Sequence, residues 1–290
     1  MRDDILLKEG RLYGPWRQPR NLHNRIPGSI HDDATAQALG FRGGTVAGSI
    51  HFEMLVPLLL ETFGNRWFER GTLSIDFKYA TVDLEDVRGV VGVPPDGAQD
   101  AQVDVLIERP DGTVVGLGTA SAGDCAEPTC LARKDLAKYS AGEYGILERV
   151  LPGESFPIEE VTVPAQAMVD RLPVITEAFP WYVGDSPWGG PIASPTVAVS
   201  AMTRAYTPYL QERGVHAVGL FGAIEVRHVN GPVFLDRPYL NGGHVVARGQ
   251  SPKTEYFWFE SYLEEEGGKR VSEMLMQLRF MKGSESLLPQ

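Results

Sequence analysis

Phe41-Arg42-Gly43-Gly44-Thr45-Val46-Ala47-Gly48-Ser49 and Pro187-Trp188-Gly189-Gly190-Pro191-Ile192-Ala193-Ser194-Pro195 are two versions of one pattern. Each runs from a Gly-Gly turn through a short apolar bridge to a small-residue helix start. Self-similarity at long separation marks a duplicated unit. After the first version, Ile50, Met54, Leu55, Leu58 and Leu59 recur at helical spacing. Pro57 belongs in the first turns of that helix or at a kink. Ser49 and Ser194 stand where a side-chain oxygen caps orphan amides.

Working outward, the match continues. Leu73–Tyr79 corresponds to Gly222–His228, and both alternate as strands with one buried face. Val87–Val93 corresponds to His244–Arg248. Val103–Arg109, Asp111-Gly112 and Thr113–Ala120 then match Glu255–Leu263, Gly267-Gly268 and Arg270–Met281, a hairpin in each half. The second copy opens near Gly153, with a short strand at Val161–Val163. The fold class is α+β: two tandem units, residues 1–130 and 151–290, joined by a connector at 131–150. Each unit wraps a curved antiparallel sheet round a central helix. Joining the two sheets into one covers edges that would otherwise recruit other strands.

Composition narrows the function. The 290 residues carry a formal charge of −11, 43% hydrophobic and 22% charged residues, the profile of an ordinary globular chain. That balance excludes a broad nucleic-acid surface, but leaves room for a local cationic patch on one phosphorylated ligand. The apolar run Met54–Leu60 is interrupted by Pro57 and falls far short of the roughly 20 residues of a membrane span. MRDDILLKEG puts charges where a secretory leader needs an apolar core, so a cytoplasmic protein is expected. Cys125 and Cys130 form a lone C-x4-C, too few ligands for a zinc site. No metal and no cofactor is expected. GxSxG, P-loop and HExxH patterns are absent.

Ile30-His31-Asp32-Asp33, Ala36, Gly40-Phe41-Arg42-Gly43-Gly44 and Gly48, with Pro180-Trp181-Tyr182 and Trp188–Ala193 in the second half, resemble the signatures of the MaoC-like hydratase superfamily. That resemblance implies a double hot-dog fold and a hydro-lyase reaction. Its members add water across an enoyl thioester with an Asp and a His spaced as D-x-N-P-x-H, while amides at the helix start polarise the thioester carbonyl. Oriented amides stabilise charge that builds on that oxygen. Here the register places Ile26, Gly28 and Ser29 ahead of His31, and Glu177, Phe179, Pro180 and Tyr182 in the second half. The first copy keeps the His without its Asp. The second keeps a carboxylate but has Tyr for His.

The expected catalytic residues are His31, Asp32 and Asp33. His31 titrates near neutrality and suits acid–base work; a structural hydrogen bond is its plain alternative. Asp32 or Asp33 could replace the missing carboxylate, although Asp33 before Ala34-Thr35-Ala36 reads better as a helix cap. Meeting of Glu177 and His31 across the pseudo-twofold is a further route, and a different reaction with His31 acting alone as general base on an acidic proton is the third. Gly44, Ala47, Gly48, Ser49, His51, Glu177 and Tyr182 are the expected substrate contacts, with the Gly48 and Ser49 amides as the oxyanion site. His51 can equally be a buried structural histidine. Arg42, Lys78 and Arg227 are candidates for carrier phosphates, and Tyr256–Phe259 with Trp67-Phe68 for packing sheet against helices.

Three functions fit. The first is a hydratase or dehydratase acting on an enoyl or 3-hydroxyacyl thioester. The second is a thioesterase using Glu53 or Asp32. The third is a non-catalytic binder that lost the dyad carboxylate. The expected partner is a small-molecule or acyl-thioester substrate, coenzyme A being one carrier, with no nucleic acid and no membrane. A homodimer is compatible with units that pair readily.

Overall fold

Leu73 and Ile75 alternate with Ser74 and Asp76, and this period of two makes β3 (Gly71–Phe77) a strand with distinct faces. The same alternation makes β8 (Gly219–His228) its counterpart. In the computed structural model, which describes residues 2–21, 26–98, 100–138 and 141–289, these two strands pair antiparallel with Ile75 opposite Ile224. That pairing is the seam between the halves.

On one side of the seam lie β1 (Leu6–Lys8), β2 (Arg11–Tyr13), β4 (Arg88–Gly92), β5 (Ala101–Glu108) and β6 (Val114–Ala122). On the other lie β7 (Glu159–Thr162), β9 (Pro238–Gln250), β10 (Thr254–Glu265) and β11 (Lys269–Met281). The strand order is β1-β2-β4-β5-β6-β3-β8-β11-β10-β9-β7, one sheet of eleven strands. Apart from β1 it reads the same from either end, unit for unit. A duplicated α+β unit with a fused sheet is thus present, as the double hot-dog resemblance implies.

The strand β9 extends beyond the His244–Arg248 match at both ends and runs through Gly242-Gly243. A Cβ on Gly243 would lie 2.1 Å from the Glu260 carbonyl oxygen, so the missing side chain permits close strand approach.

The first central helix begins as a 3₁₀ helix, Gly48–Leu55, and becomes α2 (Val56–Phe63) with Pro57 in its first turn. There Pro57 removes one donor from the hydrogen-bond ladder at the point where the 3₁₀ helix passes into the α-helix. The second is α5 (Pro195–Met202), again with Pro in the first turn. Phe52, Leu55, Leu58 and Leu59 are fully buried, each side chain contributing about 2–3 kcal/mol by leaving water. They share one continuous core with Val197, Val199 and Met202 of α5. The two units therefore hold each other.

Two expectations need correction. Ala47, not Ser49, is the N-cap residue of the first helix, and Ser194 occupies that place in the second without a side-chain capping bond. The aromatic run is also divided by strand alternation. Phe257 and Phe259 face the helices, whereas Tyr256 and Trp258 lie on the opposite face against Leu131 of the connecting segment. That segment is pinned across the sheet: Glu255 accepts from the Gly145 and Leu147 amides, and Arg248 donates to three of its carbonyls. Among the described residues no helix is long and apolar enough to cross a membrane.

Candidate functional site

Ile30 anchors the histidine loop. Its side chain is buried with Ala36 and Val218, and its carbonyl accepts from the Thr45 amide at 3.0 Å. The Asn21 side-chain amide holds the His31 carbonyl at 2.7 Å. Gly44 passes so close that a Cβ there would lie 2.1 Å from the same carbonyl oxygen. Glycine is thus required where the loop crosses the segment leading to the helix. The outcome is that His31 Nδ1 lies 2.6 Å from the Thr45 carbonyl oxygen. A carbonyl only accepts, so Nδ1 carries the proton and the neutral ring keeps its lone pair on Nε2. Burial pushes the His31 pKa below its ordinary value, against a smaller upward pull from the Thr45 carbonyl. The resting ring is therefore a neutral base.

His31 lines a cavity of about 580 Å³ together with Ala47, Gly48 and His51. Gly48 is the first helical residue, and a Cβ there would strike the Phe77 ring at 2.7 Å. The first amides of a helix have no partner within it, so the start of this helix brings donors to the cavity wall. His51 lies under that wall, almost fully buried, with Nε2 2.9 Å from Thr81 Oγ1. Burial drives its pKa down to about 4, so it stays neutral. Thr81 also ties the segment from behind, because its carbonyl accepts from Val46 N at 2.9 Å.

The far wall comes from the second unit. Gly219–Gly222, Ser251–Thr254 and Arg279 contribute to it. Sequence reasoning missed these residues, since no motif marks them; the glycines at the start of β8 are the only local sign. Lys78, Lys253 and Arg279 are the cations of the lining, and no carboxylate lines the cavity among the described residues. Lys78 pairs with Asp76 at 2.6 Å, a carboxylate it shares with Lys134. Arg279 is steered by Gln277 Oε1 at 2.7 Å. Neither Arg279 nor Lys253 has a carboxylate within salt-bridge reach among the described residues. In an acidic chain, this concentrates positive charge at one place.

The remaining candidates lie elsewhere. Asp32, not Asp33, caps helix α1 (Asp33–Ala38), accepting from Thr35 N at 2.9 Å and Thr35 Oγ1 at 2.8 Å. Those bonds hold its pKa below the ordinary carboxylate value. Asp33 accepts from the Gly44 amide at 2.7 Å and so helps lock the loop. Both acidic groups are spent on backbone donors, and neither lines the cavity. Ser49 is turned away to meet Thr196, hydroxyl to hydroxyl, at 2.8 Å.

Glu177 does not approach His31. It accepts from Arg17 at 2.5 Å and Arg2 at 3.2 Å, tying the N-terminal segment to the second unit. Tyr182 is completely buried, its hydroxyl facing Glu53 at 3.4 Å. Glu53 itself is buried and outside the cavity wall, so neither carboxylate expected of a thioesterase reaches the cavity. Arg42 pairs with Glu85 at 2.7 Å and stacks on Tyr79. Arg227 lines a different hollow beside Leu131 and Lys134. Cys125 and Cys130 are free thiols, and among the described residues no three His, Cys, Asp or Glu side chains are grouped to hold a metal.

No family model and no curated protein matches the chain. Solved structures do. One, from Chloroflexus aurantiacus and named as a candidate MaoC domain dehydratase, is 14% identical with a TM-score of 0.64, over 93% of each chain. Another, a conserved hypothetical protein of Mycobacterium tuberculosis said to have a double hotdog fold, is 12% identical with a TM-score of 0.57, covering 92% of this chain and 94% of its own. The fold is the double hot-dog.

Proposed function

We propose that the chain is a hydro-lyase that interconverts a 3-hydroxyacyl thioester and its enoyl form, with His31 as the single proton carrier. One observation carries this reading. A neutral imidazole, its tautomer set by the Thr45 carbonyl, shares a cavity with the Gly48 helix start and no carboxylate among the described residues. In the dehydrating direction, Nε2 takes the proton from C2 while charge building on the thioester oxygen is met by helix-start amides. The imidazolium then passes that proton to the departing 3-hydroxyl group. The C2–H and C3–O bonds break, the C2–C3 double bond forms, water leaves and the ring returns neutral. Burial favours the second transfer, because a ring that resists protonation readily gives its proton to the leaving hydroxyl, while the helix-start amides assist the first.

The apolar wall supplied by Phe41, Val46, Phe77 and Phe221 suits an acyl chain. Arg279 and Lys253 suit an anionic carrier such as coenzyme A. The test is hydration of crotonyl-coenzyme A, followed by loss of enoyl absorbance, for wild type and His31→Ala. Turnover is expected to fall roughly 10²–10⁴-fold with the melting temperature nearly unchanged. Equal turnover in the variant removes His31 from the mechanism. Binding without turnover in wild type would favour a binder, and release of free thiol a thioesterase.

A further inference from the structure

The backbone sets the register between the two half-sites. Thr45 N donates to Ile30 O, and Ile192 N donates to Trp181 O; Val46 N donates to Thr81 O, and Ala193 N to Val233 O. These pairs align Thr45 with Ile192, one residue away from the Gly-Gly alignment of the two motifs. They make Tyr182 the counterpart of His31, and Thr196 the counterpart of Ser49. The capping residues Ala47 and Ser194 obey the same register. Around His31 this arrangement encloses a cavity. Around Tyr182 the corresponding space is filled.

Its occupant comes from the other unit. Glu53 leaves the first 3₁₀ helix and places Oε1 2.9 Å from Thr196 N, an amide at the start of α5. Its Oε2 lies 3.4 Å from the Tyr182 hydroxyl, which donates to it. The Ser194 hydroxyl, buried and without another hydrogen-bond partner, faces the same carboxyl group. Glu53, Tyr182, Ser194 and Thr196 are all at 0% exposure. The reach is short because Ser49 and Thr196 touch where the two helix starts meet.

The reverse reach is impossible. The register pairs Glu53 with Ser200, whose hydroxyl turns back to the Thr196 carbonyl at 3.0 Å within its own helix. One side chain is long enough to cross and the other is not. That difference explains why one half-site is open and the other closed.

We propose that Glu53 is the built-in occupant of the second unit's ligand position: a carboxyl-binding site formed by the start of α5, Tyr182 and Ser194, permanently filled from the first unit. The chain then offers one working cavity, whatever reaction His31 performs there. Truncating the occupant should expose the site. Glu53→Ala removes the atoms of one acetate, so acetate at about pH 5, where its acid and anion are both present, is the probe, and sodium chloride at the same pH and ionic strength is the control.

Acetate should raise the melting temperature of Glu53→Ala saturably, by roughly 2–4 °C over chloride at tenfold its dissociation constant. It should leave wild type unmoved. An acetate response no larger than that to chloride, or an equal response in wild type, overturns the proposal. If the variant aggregates, refolding from urea gives the same reading. Recovery with acetate but not chloride supports the assignment, and equal failure in both sinks it.

Discussion

Replacing Glu53 with Gln gives a pH signature opposite to that of most carboxylates. Complete burial raises the Glu53 pKa from 4.5 to about 7, against the opposing pull of the Thr196 amide, the Ser194 and Tyr182 hydroxyls and the charge of Arg171. A carboxyl group whose pKa is higher folded than unfolded binds more protons in the folded state. Its contribution to stability is complete below pH 4.5 and is lost as pH rises through 7. At about 1.4 kcal/mol per pH unit, the interval from 4.5 to about 7 corresponds to about 3 kcal/mol.

Gln keeps the shape and the carbonyl acceptor but cannot ionise. The difference in unfolding free energy between wild type and Glu53→Gln therefore isolates this one group, since every other titrating residue is common to both. Urea denaturation from pH 4.5 to 8.5 should show wild type losing about 3 kcal/mol relative to the variant, mostly between pH 5 and 7. A flat difference, or one that grows in favour of wild type as pH rises, refutes the buried, proton-retaining carboxyl.

Asp32→Ala should lower the melting midpoint through loss of the α1 cap, while Asp32→Asn retains it. Turnover should be spared in Asp32→Asn, and a collapse there would restore Asp32 to the chemistry. Arg279→Ala should raise KM for a coenzyme A thioester roughly tenfold and leave the N-acetylcysteamine thioester, which has no phosphates, unaffected. Equal effects on both substrates would place Arg279 in structure instead of carrier recognition.

Much of the architecture was legible because β3 and β8, and the hairpins after them, alternate strongly and recur in one order. Burial on a single face leaves that mark in the residues themselves. The Gly-Gly motifs misled by one position because glycine pairs mark close backbone approach as well as turns, as Gly242-Gly243 does within β9. Which backbone amides pair is decided between loops that the fold brings together, not along the chain. His31, Ala47, Gly48 and His51 could be read as neighbours because one loop and one helix start carry them all. Arg279 and Lys253 could not, since they enter from the second unit. Nor could Glu53 be read as a plug, because its partners Tyr182 and Thr196 lie more than a hundred positions away.

The most direct test of the central claim is C2 proton exchange in 3-hydroxybutyryl-coenzyme A, followed by NMR in heavy water for wild type and His31→Gln. If Nε2 of His31 moves that proton, wild type should lose the C2 signal during turnover, and the variant should do so at least roughly 100-fold more slowly while remaining folded. Exchange at the same rate in both proteins would contradict the assignment.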